Sequence, residues 1–347
     1  MPIILICLLL IVGLILIIKG GDYFVDGASW LAEVSGIPKF IVGATIVSVA
    51  TTLPEIVVSL ISAKTSPDMA IGNAVGSVVF NAGVIMGIAL IAQPFIIKRK
   101  DYAFKGILLM VVMTLLLAFS CLGIKDSPIT FYTSGLFGFV GATVLLILFV
   151  VFIVENVISA RRGALENDKP YELDPPDDGD KPQFDSKPIA TKKSVTINLL
   201  KLIMGAAGIA IGAILLKDNA AELARRLGLS EVLIGVTILA IGTSLPELVT
   251  MIIAVKKGQA SLSIGNIIGA NTIDLAIILP LSAFISGGAG LYVSNLHLLI
   301  TMPTTLLIIA IGIVPTLIFK KFARWQGLTM FAIYLIYFVF NIVYVVI

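Results

Sequence analysis

The chain has 347 residues, 58% hydrophobic and 13% charged, with a mean hydropathy of +1.08 and a formal net charge of +3. Soluble domains run at roughly 45–50% apolar and 25% charged, so this composition excludes a water-soluble globular protein and points to a lipid bilayer. The absence of a basic tract outside the loops excludes nucleic acid as a partner. Two cysteines in separate apolar runs, Cys7 and Cys121, and a lone histidine, His297, leave no material for a disulfide framework, a zinc site or a haem site.

A bilayer core of roughly 30 Å needs about 20 apolar residues per crossing. Runs that meet this, bounded by charges or turn residues, fall at 3–19, 38–63, 69–92, 103–123, 128–156, 196–217, 231–255, 260–286, 294–318 and 326–346. The first has no positive residues ahead of it and no small-x-small site after it, so it reads as a span rather than a cleaved signal peptide. His297 falls at the start of the ninth and reads as an interfacial or packing histidine. The expected fold class is therefore an all-α polytopic membrane protein with ten transmembrane helices.

Ten crossings put both termini on one side. Of the 24 Lys and Arg residues, five (Lys64, Lys125, Lys217, Arg225 and Arg226) fall beside the loops after even-numbered spans, and the other nineteen beside those after odd-numbered spans. Basic residues are retained in the cytoplasm, so both termini are expected outside a cell membrane. Residues 161–193, rich in Pro, Asp and Lys, read as a flexible cytoplasmic linker between halves 1–160 and 194–347. The acidic run at Asp174, Asp177, Asp178 and Asp180 misses the spacing of a calcium-binding loop, because Pro176 stands at the second ligand position.

The two halves repeat one another. At an offset of 192, Asp26, Ala28, Leu31, Ala32 and Gly36 match Asp218, Ala220, Leu223, Ala224 and Gly228. In the same register Gly43, Thr45, Ile46, Thr51, Leu53, Pro54 and Glu55 match Gly235, Thr237, Ile238, Thr243, Leu245, Pro246 and Glu247. One inserted residue later, IGNAVGSVVFN (71–81) lies over IGNIIGANTID (264–274), so the repeated motifs span 43–81 and 235–274. Each half has five spans, an odd number, so the second enters the membrane in the opposite sense. Substrate sites in such inverted repeats lie near the midplane, on interrupted helices.

Three carboxylates, Glu55, Glu247 and Asp274, lie well inside apolar runs, where a charge is costly and a cation is the most economical partner; no Lys or Arg is expected at that depth. The prolines of VATTLPE (49–55) and IGTSLPE (241–247) crowd the carbonyls of Ala50 and Gly242 and are expected to end the preceding half-helices. Freed carbonyls, the hydroxyls of Thr51 and Thr52 and the Glu55 carboxylate would converge, with Thr243, Ser244 and Glu247 as inverted counterparts. Such an all-oxygen set suits calcium or sodium better than zinc or copper. Ser77 and Asn81 share a helix face, as do Ala270 and Asp274. Glycines at 72, 76, 265 and 269 are spaced for close helix approach, which would bring Asn81 and Asp274 to the same place.

At these residues the sequence resembles the calcium/cation antiporter superfamily, in its sodium/calcium exchanger branch. GTSLPE (242–247) followed by GNIIGANTID (265–274) resembles that family's second repeat, and ATTLPE (50–55) followed by GNAVGSVVFN (72–81) its first. The resemblance implies an electrogenic antiporter, not an enzyme, that needs no cofactor, carries Ca2+ and Na+, and works as a monomer. It assigns calcium to Glu55, Glu247, Thr51 and Thr243. Sodium would share the glutamates and use Ser48, Thr52 and Ser77 on the cytoplasmic side and Ala240 and Ser244 on the other, with Ser48 and Ala240 acting through backbone carbonyls. Asn81 and Asp274 would line the centre. Three positions depart from the family pattern: Ala270 replaces a serine ligand, Ala50 a glycine and Thr52 a serine. These leave H+ or K+ open as the driving ion, and a passive cation channel stands as the alternative outside the carriers.

Overall fold

The computed structural model describes residues 2–65, 67–94, 99–122, 134–167, 191–228, 240–287 and 290–346. Ten helices follow in order: α1 (Ile3–Ser35), α2 (39–65), α3 (67–92), α4 (Arg99–Leu122), α5 (Phe139–Asn167), α6 (Lys192–Arg226), α7 (240–256), α8 (260–285), α9 (297–319) and α10 (Arg324–Val346). Among the described residues four contain a wider π turn, at Gly43–Val47 in α2, Asn81–Met86 in α3, Asp274–Ile278 in α8 and His297–Thr301 in α9. Strands β1 (Gly135–Gly138) and β2 (Gly290–Val293) pair antiparallel. Among the described residues nine helices are long and apolar enough to cross a membrane, and α7 is described over 240–256 alone.

Strand pairing settles the status of α7. The pairing of Gly135 with Val293 and Gly138 with Gly290 places the loops before α5 and before α9 on one face, so an even number of crossings must separate them. Helices α5, α6 and α8 supply three, and the segment containing α7 is the fourth. The first part of that span, 231–239, the tip of the fifth, 128–133, and the linker run 168–190 lie outside the described residues.

Helices α3 and α8 form the centre, 83% of their spanning windows being buried against 22% for α1 and α6. Peripheral helices turn large apolar side chains such as Ile15, Ile203, Met204 and Ile336 outward, as a lipid solvent requires. With little hydrophobic force between helices in lipid, close backbone approach has to hold α1 to α6. A Cβ on Gly20 would sit 2.8 Å from the Ile209 nitrogen and 2.9 Å from the Gly205 oxygen, and one on Gly212 2.7 Å from the Gly13 oxygen. Gly13 and Gly20 are the repeat equivalents of Gly205 and Gly212, and each meets the other's counterpart. The two helices are therefore antiparallel about a pseudo-two-fold axis, which is the inverted repeat expressed in packing.

Several sequence expectations need correction. The spans read as 3–19 and 196–217 are single helices of 33 and 35 residues. At 1.5 Å per residue each is about 50 Å long, beyond the bilayer core, so polar residues such as Asp22, Asp26 and Lys217 are helical rather than in loops. The fifth span starts at Phe139, after β1, and runs through Asn167, so the linker expected from 161 begins later. Lys105, counted with loop cations, is fully buried in α4 and pairs with Glu155 of α5, which Ser159 also binds. His297 stands half-buried against Gly72, its Nε2 3.1 Å from where a Cβ would lie.

One ionic contact ties α1 to the turn after α7. Lys257 Nζ donates to Asp26 Oδ1 at 2.7 Å and to the Asp22 carbonyl at 3.1 Å. Burial opposes the charge on Lys257, but Asp26 and Asp22 outweigh it and hold the ammonium above the usual lysine range. The repeat equivalent of Asp26, Asp218, instead meets its neighbour Lys217 at 3.4 Å.

Replacing Gly20 with leucine should wedge α1 from α6 and destabilise the protein by about 1–3 kcal/mol. A lowered midpoint of heat-induced loss of the monodisperse size-exclusion peak is the readout; an unchanged midpoint would mean that the crossing is not close-packed.

Candidate ion site

Helix α2 places Ser48, Thr51, Thr52 and Glu55 at positions i, i+3, i+4 and i+7, on one face. All four are buried, whereas Val49, Leu53 and Val57 on other faces are about half exposed. Helix α7 repeats the pattern with Thr243, Ser244 and Glu247, and extends it to Thr250, also buried. Small residues bring α2 against α8: a Cβ on Gly265 would lie 2.1 Å from the Phe40 oxygen, and one on Gly269 2.5 Å from Ser48 Oγ and 2.6 Å from the Ala44 oxygen. Of the four spaced glycines, 265 and 269 thus serve close packing. Gly72 faces His297, and Gly76 has no described atom within 4 Å of its Cβ position. The repeat partners of 40–47, residues 232–239, are outside the described segments.

The two proline motifs behave differently. At Pro246 the helix breaks: α7 is Ala240–Thr243, then Ser244 with φ −91° and ψ 10°, then Leu245–Lys256. At Pro54 the expected break does not occur, because the proline sits inside a continuous helix Ser48–Thr65. An interior proline removes one hydrogen bond and bends a helix without having to end it. The π turns of α3 and α8 start at Asn81 and Asp274, equivalent residues, and such turns recur at functional sites because they re-aim side chains out of the α register.

Glu55, Glu247 and Asp274 are each about 1% exposed. Glu55 lies within electrostatic range of both other carboxylates. Thr52 Oγ1 donates to Glu247 Oε1 at 3.3 Å across the repeats, and Thr51 Oγ1 donates to Asn266 Oδ1 at 3.2 Å. The equivalent pair Ser244 and Glu55 makes no such bond. Both Glu55 oxygens, both Asp274 oxygens, Glu247 Oε2, Ser77 Oγ, Asn81 Oδ1 and Ser244 Oγ are buried without a hydrogen-bond partner among the described residues. Buried polar atoms are nearly always paired, so these eight oxygens are exceptions, and five of them belong to the three carboxylates. Among the described residues no three His, Cys, Asp or Glu side chains gather into one metal cluster. Hydroxyl and backbone oxygens must therefore complete any coordination shell, as calcium's about 6–8 oxygen ligands would require.

The structure joins Thr52 to Glu247 and Thr51 to Asn266, and it packs Ser48 against Gly269 with its hydroxyl donating to the Thr45 carbonyl at 3.0 Å. Thr243 borders Pro54 in a shared pocket. Ser77, Asn81 and Ser244 are buried with free oxygens, without a measured contact to the carboxylates. Ala240 opens α7 through its backbone. Sequence reasoning missed Asn266, which holds Thr51. The signal for it existed: Asn73 and Asn266 are the paired asparagines of the two IGN segments. It also missed Lys217. Read as the last residue of its span, it lies inside α6 and lines the pocket beside Thr243 and Pro54.

Comparisons with known proteins agree with this architecture. The profile described as sodium/calcium exchanger protein matches residues 5–157 and 197–343. An uncharacterized membrane protein of Methanocaldococcus jannaschii is 30% identical over 333 residues, 94% of either chain. The sodium/calcium exchanger MaX1 of Methanosarcina acetivorans is 28% identical over 348 residues, 96% of this chain and 97% of its own. A structure of the sodium-calcium exchanger NCX_Mj, soaked with 100 mM Na+ and 10 mM Sr2+, superimposes with a TM-score of 0.76 at 28% identity, covering 96% of this chain and 98% of that one. Two inverted five-helix repeats, buried acidic centres and a match over both halves make this chain a multi-pass membrane transporter of the sodium/calcium exchanger family.

Proposed function

We propose that the chain is a secondary-active antiporter exchanging sodium for calcium across a cell membrane by alternating access. The observation that carries this reading is the pair of buried glutamates from opposite repeats, with carboxylate oxygens left for a cation and hydroxyls beside them. Glu55, Glu247, Thr51 and Thr243 bind calcium. Sodium uses the same glutamates together with Ser48, Thr52, Ser77, Ser244 and the Ala240 carbonyl, while Asn81 and Asp274 line the centre. One chain completes the site, so a monomer suffices. Both termini face outward and the linker faces the cytoplasm.

Coupling follows from electrostatics. Carboxylates taken out of water and left bare in a low-dielectric interior incur a penalty of several kcal/mol each, so the site moves between sides only when cations neutralise it. Two unequal arrangements of equivalent residues support such movement. Thr52 binds Glu247 while Ser244 does not bind Glu55, and Asp26 holds Lys257 while Asp218 holds only its neighbour. Exchanging those roles between the repeats would expose the site to the other side.

Ala270 favours one second reading, a carrier driven by H+ or K+, since it withholds an oxygen that Ser77 supplies in the first repeat. Calcium-45 uptake into proteoliposomes with sodium, potassium and pH gradients set separately distinguishes the drivers. Uptake is expected to need internal sodium; equal uptake with choline inside would refute sodium coupling, and calcium currents without any counter-ion would point to a channel. Glu55→Gln and Glu247→Gln are each expected to lower uptake by at least about 100-fold, and wild-type flux in either would remove the central assignment. Thr52→Val takes one neutral hydrogen bond from Glu247 and should weaken half-saturation by only about 3–10-fold, read from the same uptake curves.

A further inference from the structure

Threonines inside these helices commonly bond back onto their own backbone. Thr45, Thr272, Thr305 and Thr316 each donate to the carbonyl four residues earlier, at 2.7 or 2.8 Å. Such back-bonding is the ordinary use of a helical threonine hydroxyl. Thr51 does otherwise. It is 2% exposed, and its Oγ1 donates across the repeats to Asn266 Oδ1 at 3.2 Å, with the Ser48 carbonyl a longer second acceptor at 3.4 Å. Glu247 also interacts with the Thr51 hydroxyl, besides accepting from Thr52. Asn266 itself is fully buried. A Cβ on Gly43 would lie 2.9 Å from its backbone nitrogen and 2.2 Å from the Leu262 oxygen, so glycine at 43 is what lets α8 bring the amide up to α2. The equivalent asparagine is used differently. Asn73 donates through Nδ2 to Ser59 Oγ at 2.8 Å, inside its own repeat. One asparagine thus gives a proton to α2, and the other receives one from it.

A hydroxyl carries one proton and two lone pairs. To ligate a cation it must offer a lone pair, so its proton has to be received from another side, and the acceptor that receives it fixes the rotor. Outer partners orient the ligands of metal sites in the same way. We propose that Asn266 is a positioning residue for calcium: its amide oxygen takes the Thr51 proton and leaves the lone pairs of Thr51 to the ion. The acceptors that remain to Thr51 without it are the Ser48 carbonyl and the Glu247 carboxylate. A proton turned toward Glu247 would occupy an oxygen that the ion needs. The hold on calcium then depends on both halves of the chain, since Thr51 belongs to one repeat and Asn266 to the other. This inference rests on the antiporter reading above, in which Thr51 is a calcium ligand.

The test uses the full chain, with calcium titration of purified protein and sodium-driven calcium-45 uptake in proteoliposomes. Asn266→Leu keeps the branched shape but has no acceptor; it should weaken calcium binding and half-saturation by about 10-fold while maximal uptake stays within about two-fold of the parent. Asn266→Asp keeps an acceptor oxygen at the same place and should bind calcium at least as tightly as the parent, and it serves if the leucine variant folds poorly. A double-mutant cycle separates positioning from packing. In Thr51→Val there is no proton to receive, so adding Asn266→Leu should weaken binding by less than about two-fold more, whereas in Thr51→Ser it should have its full effect of about 10-fold. Parental binding by Asn266→Leu, weakened binding by Asn266→Asp, or an equal effect of Asn266→Leu with and without the Thr51 hydroxyl overturns the positioning role and leaves the antiporter standing. Parental calcium binding by Thr51→Val, Glu55→Gln and Glu247→Gln alike overturns both.

Discussion

A carboxylate sealed inside a bilayer must find a positive partner or lose its charge, and much of this structure follows from that constraint. Glu55, Glu247 and Asp274 lie within a few residues of proline, glycine and hydroxyl side chains that would be liabilities in an ordinary membrane helix. The prolines remove backbone donors, the glycines thin the helices so that α2 and α8 can touch, and the π turns re-aim Asn81 and Asp274. Pro246, Gly265, Gly269, Asn81 and Asp274 are all buried in protein, which is the condition under which irregular backbone survives at membrane depth.

The inverted repeat supplies symmetry, and the structure breaks it in places that matter. Equivalent glycines pair across α1 and α6, so the framework is closely two-fold. The two proline motifs are not: one bends within a continuous helix and the other interrupts it at Ser244. A carrier that shows its site to one side at a time cannot keep its halves identical. In inverted-repeat carriers at large, unequal halves of one sequence design are what inward and outward states require.

Much of this was legible in the residues. Apolar runs located all ten helices, and the register of Gly, Thr, Pro and Glu revealed the repeat and its glutamates. What escaped was whatever depends on helix length beyond the membrane. Polar residues at the end of an apolar run look like loop, so α1 and α6 were read as ending near Lys19 and Lys217, although both helices continue into the polar region. Lys105 and Lys217 fell at the ends of runs read as 103–123 and 196–217 and were counted with the loop cations, which hid the Lys105–Glu155 pair. The β1–β2 ribbon was invisible for a different reason: its four-residue strands lie far apart in sequence, and such pairing leaves no local periodicity. Asn266 was in view within a recognised motif, but its task of holding Thr51 is a tertiary contact.

The hydrogen bond from Thr52 to Glu247 joins residues from separate halves of the chain. Either half alone carries one of the two glutamates and the hydroxyls suited to the other. To complete a site, an isolated half would have to meet a second copy inserted upside down, and such a half could not afford a strong bias of basic residues to either face. Once both halves are fused, each is free to fix its own direction of insertion, and the basic residues can separate as nineteen against five. The lopsided placement of the basic residues and the bond between Thr52 and Glu247 are thus two records of the same duplication.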